Sequence, residues 1–427
     1  MYSPTCQKLT GKLKKGLLGG LLLVSGVAAA QVKPTKQDSV LAVQQAEGSI
    51  ATKEKKSQWF EKISVKGYLQ VRYSRLLETN PLLKMSNDNS VGDNAGFLIR
   101  RARITFSGDV HERVYIYIQP EFAASIPVSG SPTGHFVQLR DAYADLALDS
   151  KKEFRFRIGQ SKVPFGFETV QSSSNRLSLE RNDAYWSSLP NERDLGVFFY
   201  WAPKNIRERF KELANHKLKG TGDYGVFALG VYNGQTANRQ EANDNLTIVS
   251  RISYPIQFSN GQIIEPGISG YTGRYNVGND QLSSTKVKGG NFDDKRAAAS
   301  FILYPKPLGF QAEYMVGKGP EFDPETSTIR TRNAHGGYAQ VSYNLALKNQ
   351  LLIPYVKVQQ YEGGRKLELD ARFGKTRQAE FGIEWQPIGA FELTTQYVIS
   401  DRTTKDGRNL NNHQKGNFLQ VQAQFNY

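Results

Sequence analysis

The stretch Glu153–Asp194 opens EFRFRIGQSKVPFG (153–166) and closes LERNDAYWSSLPNERD (179–194). Its first half alternates. Phe154, Phe156 and Ile158 point one way, and Arg155, Arg157 and Gly159 point the other. A period of two is a strand with two unlike faces, one apolar and one carrying guanidinium groups. Taken alone, this run fits either a soluble sheet over a core or a strand with lipid outside and water inside. The ladder ends near Pro164. About thirty residues without clear periodicity follow, far above the usual loop length of about four to six. So long a loop, rich in Ser, Asn, Arg and Glu, reads as a functional one that folds into a pore, with the rest of the chain as the wall around it.

Outward from this stretch, the N-terminus is a targeting segment. Lys8, Lys12, Lys14 and Lys15 precede the apolar run 16–27, which is too short to span a membrane. Ala28-Ala29-Ala30 then supplies small residues before Gln31, the pattern of a secretory signal peptide over 1–30. The only cysteine, Cys6, lies inside it, so the mature chain is expected to hold no disulfide and no thiol chemistry. Residues 31–62 are polar and read as a periplasmic lead-in. The chain carries a net charge of +15, and losing the four leader lysines leaves it basic. A basic excess points to an anionic partner, and export argues against nucleic acid.

From Ile63 onward alternating segments follow one another to Tyr427, about sixteen in all, an even number as in bacterial outer-membrane barrels. Ile63–Arg75 sets Val65, Leu69 and Val71 against Lys66, Gln70 and Arg72. Phe97–Gly108 sets Ala102, Ile104 and Phe106 against Arg101, Arg103 and Thr105. The last strand is the cleanest, with Leu419, Val421, Ala423, Phe425 and Tyr427 outward and Gln420, Gln422, Gln424 and Asn426 inward. Connections alternate between short turns (149–151, 305–309, 387–390) and long polar segments (76–95, 123–135, 276–291, 320–333, 362–376, 402–415). Short turns on one side and long loops on the other are what a barrel with periplasmic turns and extracellular loops produces. One exception, 202–220 (KNIRERFKEL within it), falls on the short-turn side but reads as a helical periplasmic insertion. The expected fold class is therefore all-β: a transmembrane antiparallel β-barrel over 63–427, with the long third extracellular loop (164–194) folded inward as a constriction. No internal apolar run approaches the length of a transmembrane helix, and averaged hydropathy hides barrel strands.

FLIRRARITFSGDV (97–110), LRDAYADLAL (139–148) and above all FRIGQSKVPFGFE (156–168) followed by NERDLGVFFYW (191–201) resemble the phosphate-selective porin O and P family. The resemblance runs from about Ile63 to Tyr427. It implies a sixteen-stranded homotrimeric barrel in the cell outer membrane. It also implies an anion path built as a ladder of lumen arginines with lysines toward the mouth. By strand parity Arg101 and Arg103, and Arg155 and Arg157, match such a ladder. Lys162, just before the long loop, and Arg176, Arg181 and Arg193 within it join them as lumen or anion-binding candidates. The terminal Tyr427 resembles the signal by which barrel-assembly machinery recognises its clients.

Arginine suits this task because its rigid fork of donors replaces water around an oxyanion. Rungs spaced along one strand face give an ion a next place to step. Two readings stay open. Either the arginines form an anion path for phosphate, polyphosphate or another small anionic solute, or Glu168, Glu180, Asp183, Glu192 and Asp194 neutralise them in a general, non-selective porin. An adhesin or structural barrel is the third option. No cofactor, metal site or catalytic constellation is expected. The five histidines are scattered, and Gly317-Lys318-Gly319-Pro320 lacks the length of a phosphate loop.

Overall fold

A computed structural model describes residues 58–77, Leu83, Met85, Asp88, 90–91, 96–125 and 135–427. The expected signal peptide, and the lead-in up to residue 57, lie outside the described residues. Gln58 caps a short 3-10 turn, Trp59–Lys62, which leads into the first strand.

Sixteen antiparallel strands close into a barrel. They are β1 (Ser64–Leu76), β2 (Phe97–His111), β3 (Val114–Ser125), β4 (His135–Ala147), β5 (Phe154–Lys162), β6 (Arg193–Trp201) and β7 (Phe227–Tyr232), then β8 in two segments, Thr247–Ser253 and Ile256–Gln257. There follow β9 (Ile263–Val277), β10 (Gly290–Leu303), β11 (Leu308–Asp323) and β12, again in two segments, Thr328–Tyr343 and Leu345–Leu347. The last four are β13 (Gln350–Gly364), β14 (Phe373–Ile388), β15 (Phe391–Lys405) and β16 (Asn412–Asn426). Each strand pairs with its neighbours in sequence, and β1 meets β16 in register from Tyr68 opposite Asn426 to Leu76 opposite Phe418. The seam is extended by Tyr427. Its carbonyl accepts from the Gly67 amide at 2.7 Å and its hydroxyl donates to the Arg103 carbonyl at 3.1 Å. Gly67 is required there, because a Cβ would sit 2.5 Å from the Tyr427 ring.

The burial pattern is that of a soluble protein turned inside out. Gln70, Arg72, Arg157, Gln359, Glu380 and Gln422 are buried, whereas Val65, Phe106, Ile158, Val197, Phe381 and Phe425 are exposed. In water such an apolar exterior would drive association, but in a bilayer it is the surface that hydrocarbon solvates. The parity read from the sequence holds in β5, where Arg155 and Arg157 are buried while Phe154 and Ile158 are exposed. It holds in β16, with Gln420, Gln422 and Gln424 inside.

Three readings of the sequence need correction. The expected long loop 320–333 is a hairpin, because β11 and β12 continue pairing from Lys318 opposite Asn333 up to Asp323 opposite Thr328. Phe322 and Ile329 of these ends are buried with Tyr275 and Val277, and the residues beside them are charged or polar, so the apolar-outward alternation of the wall strands does not extend to them. Parity also breaks in β2. A bulge places Arg101 opposite Gln70 and Ile99 opposite Val71, so the skipped Arg100 joins Arg101 on the inner face. Finally, Arg193 and Asp194 begin β6 and are not part of the preceding loop.

Between β6 and β7 the helix α2 (Lys204–Leu213) forms where the sequence suggested one, at the same end of the barrel as the short turns. Ile206, Phe210 and Leu213, spaced four and three apart, form its buried face.

Candidate functional site in the barrel lumen

The connection from β5 to β6, residues 163–192, is bonded to the inner face of the wall on many sides. The Phe167 and Glu168 amides donate to the Glu313 carboxylate of β11 at 2.5 and 2.8 Å. Asn182 Nδ2 donates to the Gly337 carbonyl of β12, and the Asp183 amide to Gln359 of β13. Ser178 Oγ donates to Glu380 of β14 at 2.6 Å. Gln70 of β1 and Gln424 of β16 donate to the carbonyls of Ser173 and Ser174. Within the connection, Asn182 caps the short helix α1 (Asp183–Ser188) by accepting from the Ala184 amide at 2.8 Å. Phe165 and Tyr185 pack with the inward Tyr271 and Met315.

The acids of this connection are spoken for, and mostly by residues other than the expected ladder. Glu168 pairs with Lys357 of β13 at 2.6 Å. Glu180 takes both Arg72 of β1 and the bulged Arg100 of β2. Asp183 takes Arg365 and Arg402. Only Glu192 meets the expected set, pairing with Arg181 and Arg193, and also with Arg140. Asp194, named with these acids from sequence, accepts backbone amides from Leu195 and Thr236 instead.

The eight expected residues fall into separate surroundings. Arg155, Arg157, Lys162 and Arg193 line one cavity of about 470 Å³ against the inner face of β3, β4 and β5. Arg157 makes a two-pronged pair with Asp145 at 2.7 and 2.9 Å and stacks 3.9 Å over the Tyr143 ring. Arg155 lies 2.8 Å from Asp223 and 3.6 Å from Asp145. Lys162 spends its ammonium on the Val170 and Gln171 carbonyls, and Arg193 also bonds Asp141. Arg101 and Arg103 stand outside this cavity. Arg101 donates to Gln70 at 2.8 Å, and Arg103 bonds Glu121, Tyr68 and Ser173. Arg181 bonds the Glu168 and Gln171 carbonyls as well as Glu192. Arg176 differs from all of these. It is buried, yet none of its three guanidinium nitrogens has a hydrogen-bond partner among the described residues.

The cavity wall carries eight basic side chains against four aspartates, with Tyr115, Tyr117, Tyr143 and Tyr224 between them. Sequence reasoning missed several of the charged groups. Parity alone points Arg72 and Lys357 inward, as their burial confirms, whereas Arg402 fell in the expected loop 402–415, the start of which continues β15 to Lys405. Arg207 and Lys211 reach the cavity from α2, and no strand pattern could have placed them there.

A family model described as phosphate-selective porin O and P matches residues 83–427. No curated protein matches the chain. Among solved structures, the outer membrane channel DcaP of Acinetobacter baumannii aligns at a TM-score of 0.50 with 14% identity, over 86% of this chain and 97% of that one. OmpF of Salmonella typhi, solved in complex with daunomycin, aligns at 0.50 with 10% identity, over 87% and 99%. At these identities the likeness is one of fold.

Proposed function

This chain belongs to the phosphate-selective porin O and P family, and on that premise we propose that it is a passive path for small anions, phosphate or another oxyanion, through an outer-membrane porin. The family and the barrel fold support a channel rather than an enzyme. The observation that carries the anion reading is the excess of basic over acidic side chains in the cavity beside β3–β5. A water-filled passage with low-dielectric walls focuses the field of its lining, so a local excess of positive charge concentrates anions. Conduction needs sites that are favourable to enter and easy to leave. Arg155 and Arg157 are each partly neutralised by Asp145 or Asp223, which makes them modest rungs rather than traps. Residues 163–192 serve as the constriction that sets the width of this route.

The rival reading is a general porin in which those same pairings cancel the ladder. Its support is the number of ion pairs the lumen arginines make. The two readings part on the reversal potential of purified protein in a planar bilayer under a salt gradient. An anion preference supports the proposal, and none supports the rival.

The assembly we propose is a homotrimer, set among outer-membrane lipid and inserted by the barrel-assembly machinery through β16 and Tyr427. Mass measurement of the detergent-solubilised protein tests the trimer.

A further inference from the structure

The connection between β6 and β7 does not hang below the barrel. It starts at the wall of β5, where the Ala202 amide donates to the Glu153 carbonyl and the Lys204 amide to the Glu153 carboxylate. After α2 it crosses to strands half-way round the barrel. The buried Lys219 ammonium lies 2.5 Å from Glu384 of β14 and 3.7 Å from Glu392 of β15. His216 meets the same Glu392 at 2.9 Å, and Asn344, at the break in β12, donates to the Lys217 carbonyl. The constriction connection binds it from inside the barrel. Gln171 donates to the Lys219 carbonyl at 2.5 Å, and Asn175 donates to the carbonyls of Ala214 and Gly220 at 3.0 and 2.7 Å. Leu213 and Leu218 pack with Phe167 of that connection and with Ile263, Ile302 and Tyr304 of the wall. A segment held at both walls and from inside is a strut across the mouth. Its apolar and ion-paired contacts fill the side toward β9–β15.

The side that remains is the cavity beside β3–β5, and the strut lines its end. Arg207, Lys211, Thr221, Asp223 and Tyr224 all face that cavity, together with Arg155 and Arg157 above them. Arg207 is fixed by Asp223 at 2.8 Å, which also holds Arg155, so the strut and the wall share one charge network. Lys211 is exposed on the same face of α2, one turn further along the helix.

We propose that the segment 202–226 is a second selectivity element of the channel. It closes the β9–β15 side of the short-turn mouth, and Arg207 with Lys211 forms the last anion site on the route that stays open. This rests on the porin reading above and adds a filter at the opposite end from the long loops.

Cysteine placement tests it directly, because the chain's only native cysteine is Cys6. Lys211→Cys and its neighbour Glu212→Cys are each reconstituted in planar bilayers and treated with a thiol reagent that adds a sulfonate. Glu212 is exposed and turned toward Lys306, away from the cavity. Labelling at 211 is expected to cut the chloride current by roughly half, since it puts a fixed negative charge in the path. Labelling at 212 is expected to leave the current unchanged. In parallel, Arg207→Gln with Lys211→Gln is expected to lower the anion-to-cation permeability ratio roughly two-fold. The proposal is overturned if label is shown by mass at 211 and the current does not change, if 211 and 212 respond alike, or if the double variant keeps the ratio. Failure of the porin reading itself looks different, since the unaltered protein would then give no stepwise conductance at all.

Discussion

Asp183, in the first turn of α1, lies 2.9 Å from Arg402 of β15, although 219 positions separate the two in the chain. Arg365 closes on the same carboxylate at 2.5 Å, and Thr376 donates to it at 2.6 Å. This cluster ties the middle of the 163–192 connection to the wall opposite the cavity. Removing one partner of a buried ion pair leaves the other uncompensated, at about 3–5 kcal/mol. Asp183→Asn should therefore release the connection without breaking the barrel. Single-channel records should become noisier, with added sub-levels, while the mobility of the unheated barrel on a gel stays that of the parent. An unchanged record would mean that the connection does not depend on this anchor.

Arg157 is the arginine whose removal should tell most about selectivity. It sits between the Asp145 carboxylate and the Tyr143 face, on the wall of the cavity. A hydrogen bond to a charged group contributes about 1.5–3 kcal/mol. Arg157→Ala should thus weaken phosphate block of the chloride current about tenfold or more. Arg157→Lys keeps the charge but loses the fork, and should fall between the two. Asp145→Asn should act in the opposite direction and raise the anion preference.

Arg72 and Arg176 make a matched contrast. Arg72 is fully buried and bonded to Asp88, Glu180, Gln422 and the Leu179 carbonyl. Arg176 is buried with no hydrogen-bond partner among the described residues, and Arg101 and Arg181 are among its charged neighbours. A buried cation with no hydrogen-bond partner and two arginines among its neighbours is a destabilising feature unless an anion visits it. Arg72→Ala should lower the thermal unfolding midpoint. Arg176→Ala should leave it level or raise it, yet weaken phosphate block. If both variants lose stability alike, Arg176 is a structural group and not part of the path.

Acid titration of the short-turn mouth has a definite sign. Burial works to raise the Asp223 carboxyl, but Arg155 and Arg207 outweigh it and hold it below its ordinary value of 3.8. A depressed carboxylate contributes stability above its unfolded pKa and loses it as pH falls through the folded one. Between about pH 7 and pH 5 Asp223 therefore keeps its charge and its contribution is constant. Only in stronger acid should its negative charge vanish, with a rise in anion preference and a loosened strut. Asp223→Asn should show the raised preference already at neutral pH. Reversal potentials measured at a series of pH values, for parent and variant, check this.

Much of the fold was legible because a barrel strand must present opposite chemistries to lipid and water. Arg155 and Arg157 next to Phe154 and Ile158, and the glutamines of β16 beside Leu419 and Val421, fix register by that contrast alone. The strand ends such as Lys318–Asp323 bury Phe322 between the charged Glu321 and Asp323, the reverse of the apolar-outward alternation that marks the wall strands. Arg100 was hidden by the bulge that sets two residues opposite Gln70. The partners of Glu168 and Asp183 were hidden for a different reason. They sit on strands 189 and 219 positions away, and a contact across a lumen leaves no local pattern in either segment. The helix of the 202–226 strut was readable from its apolar spacing, but its crossing of the mouth was not.

The proposed function stands or falls on whether the basic cavity beside β3–β5 carries anions and whether oxyanions occupy it. The most direct test is one titration. Purified unaltered protein is held in a planar bilayer under a chloride gradient, its reversal potential is read, and inorganic phosphate is then added in steps while the chloride current is followed. An anion path of this kind gives a reversal potential on the anion side and a saturable fall in chloride current as phosphate rises. A cation-side reversal potential, or a chloride current indifferent to phosphate, would contradict it.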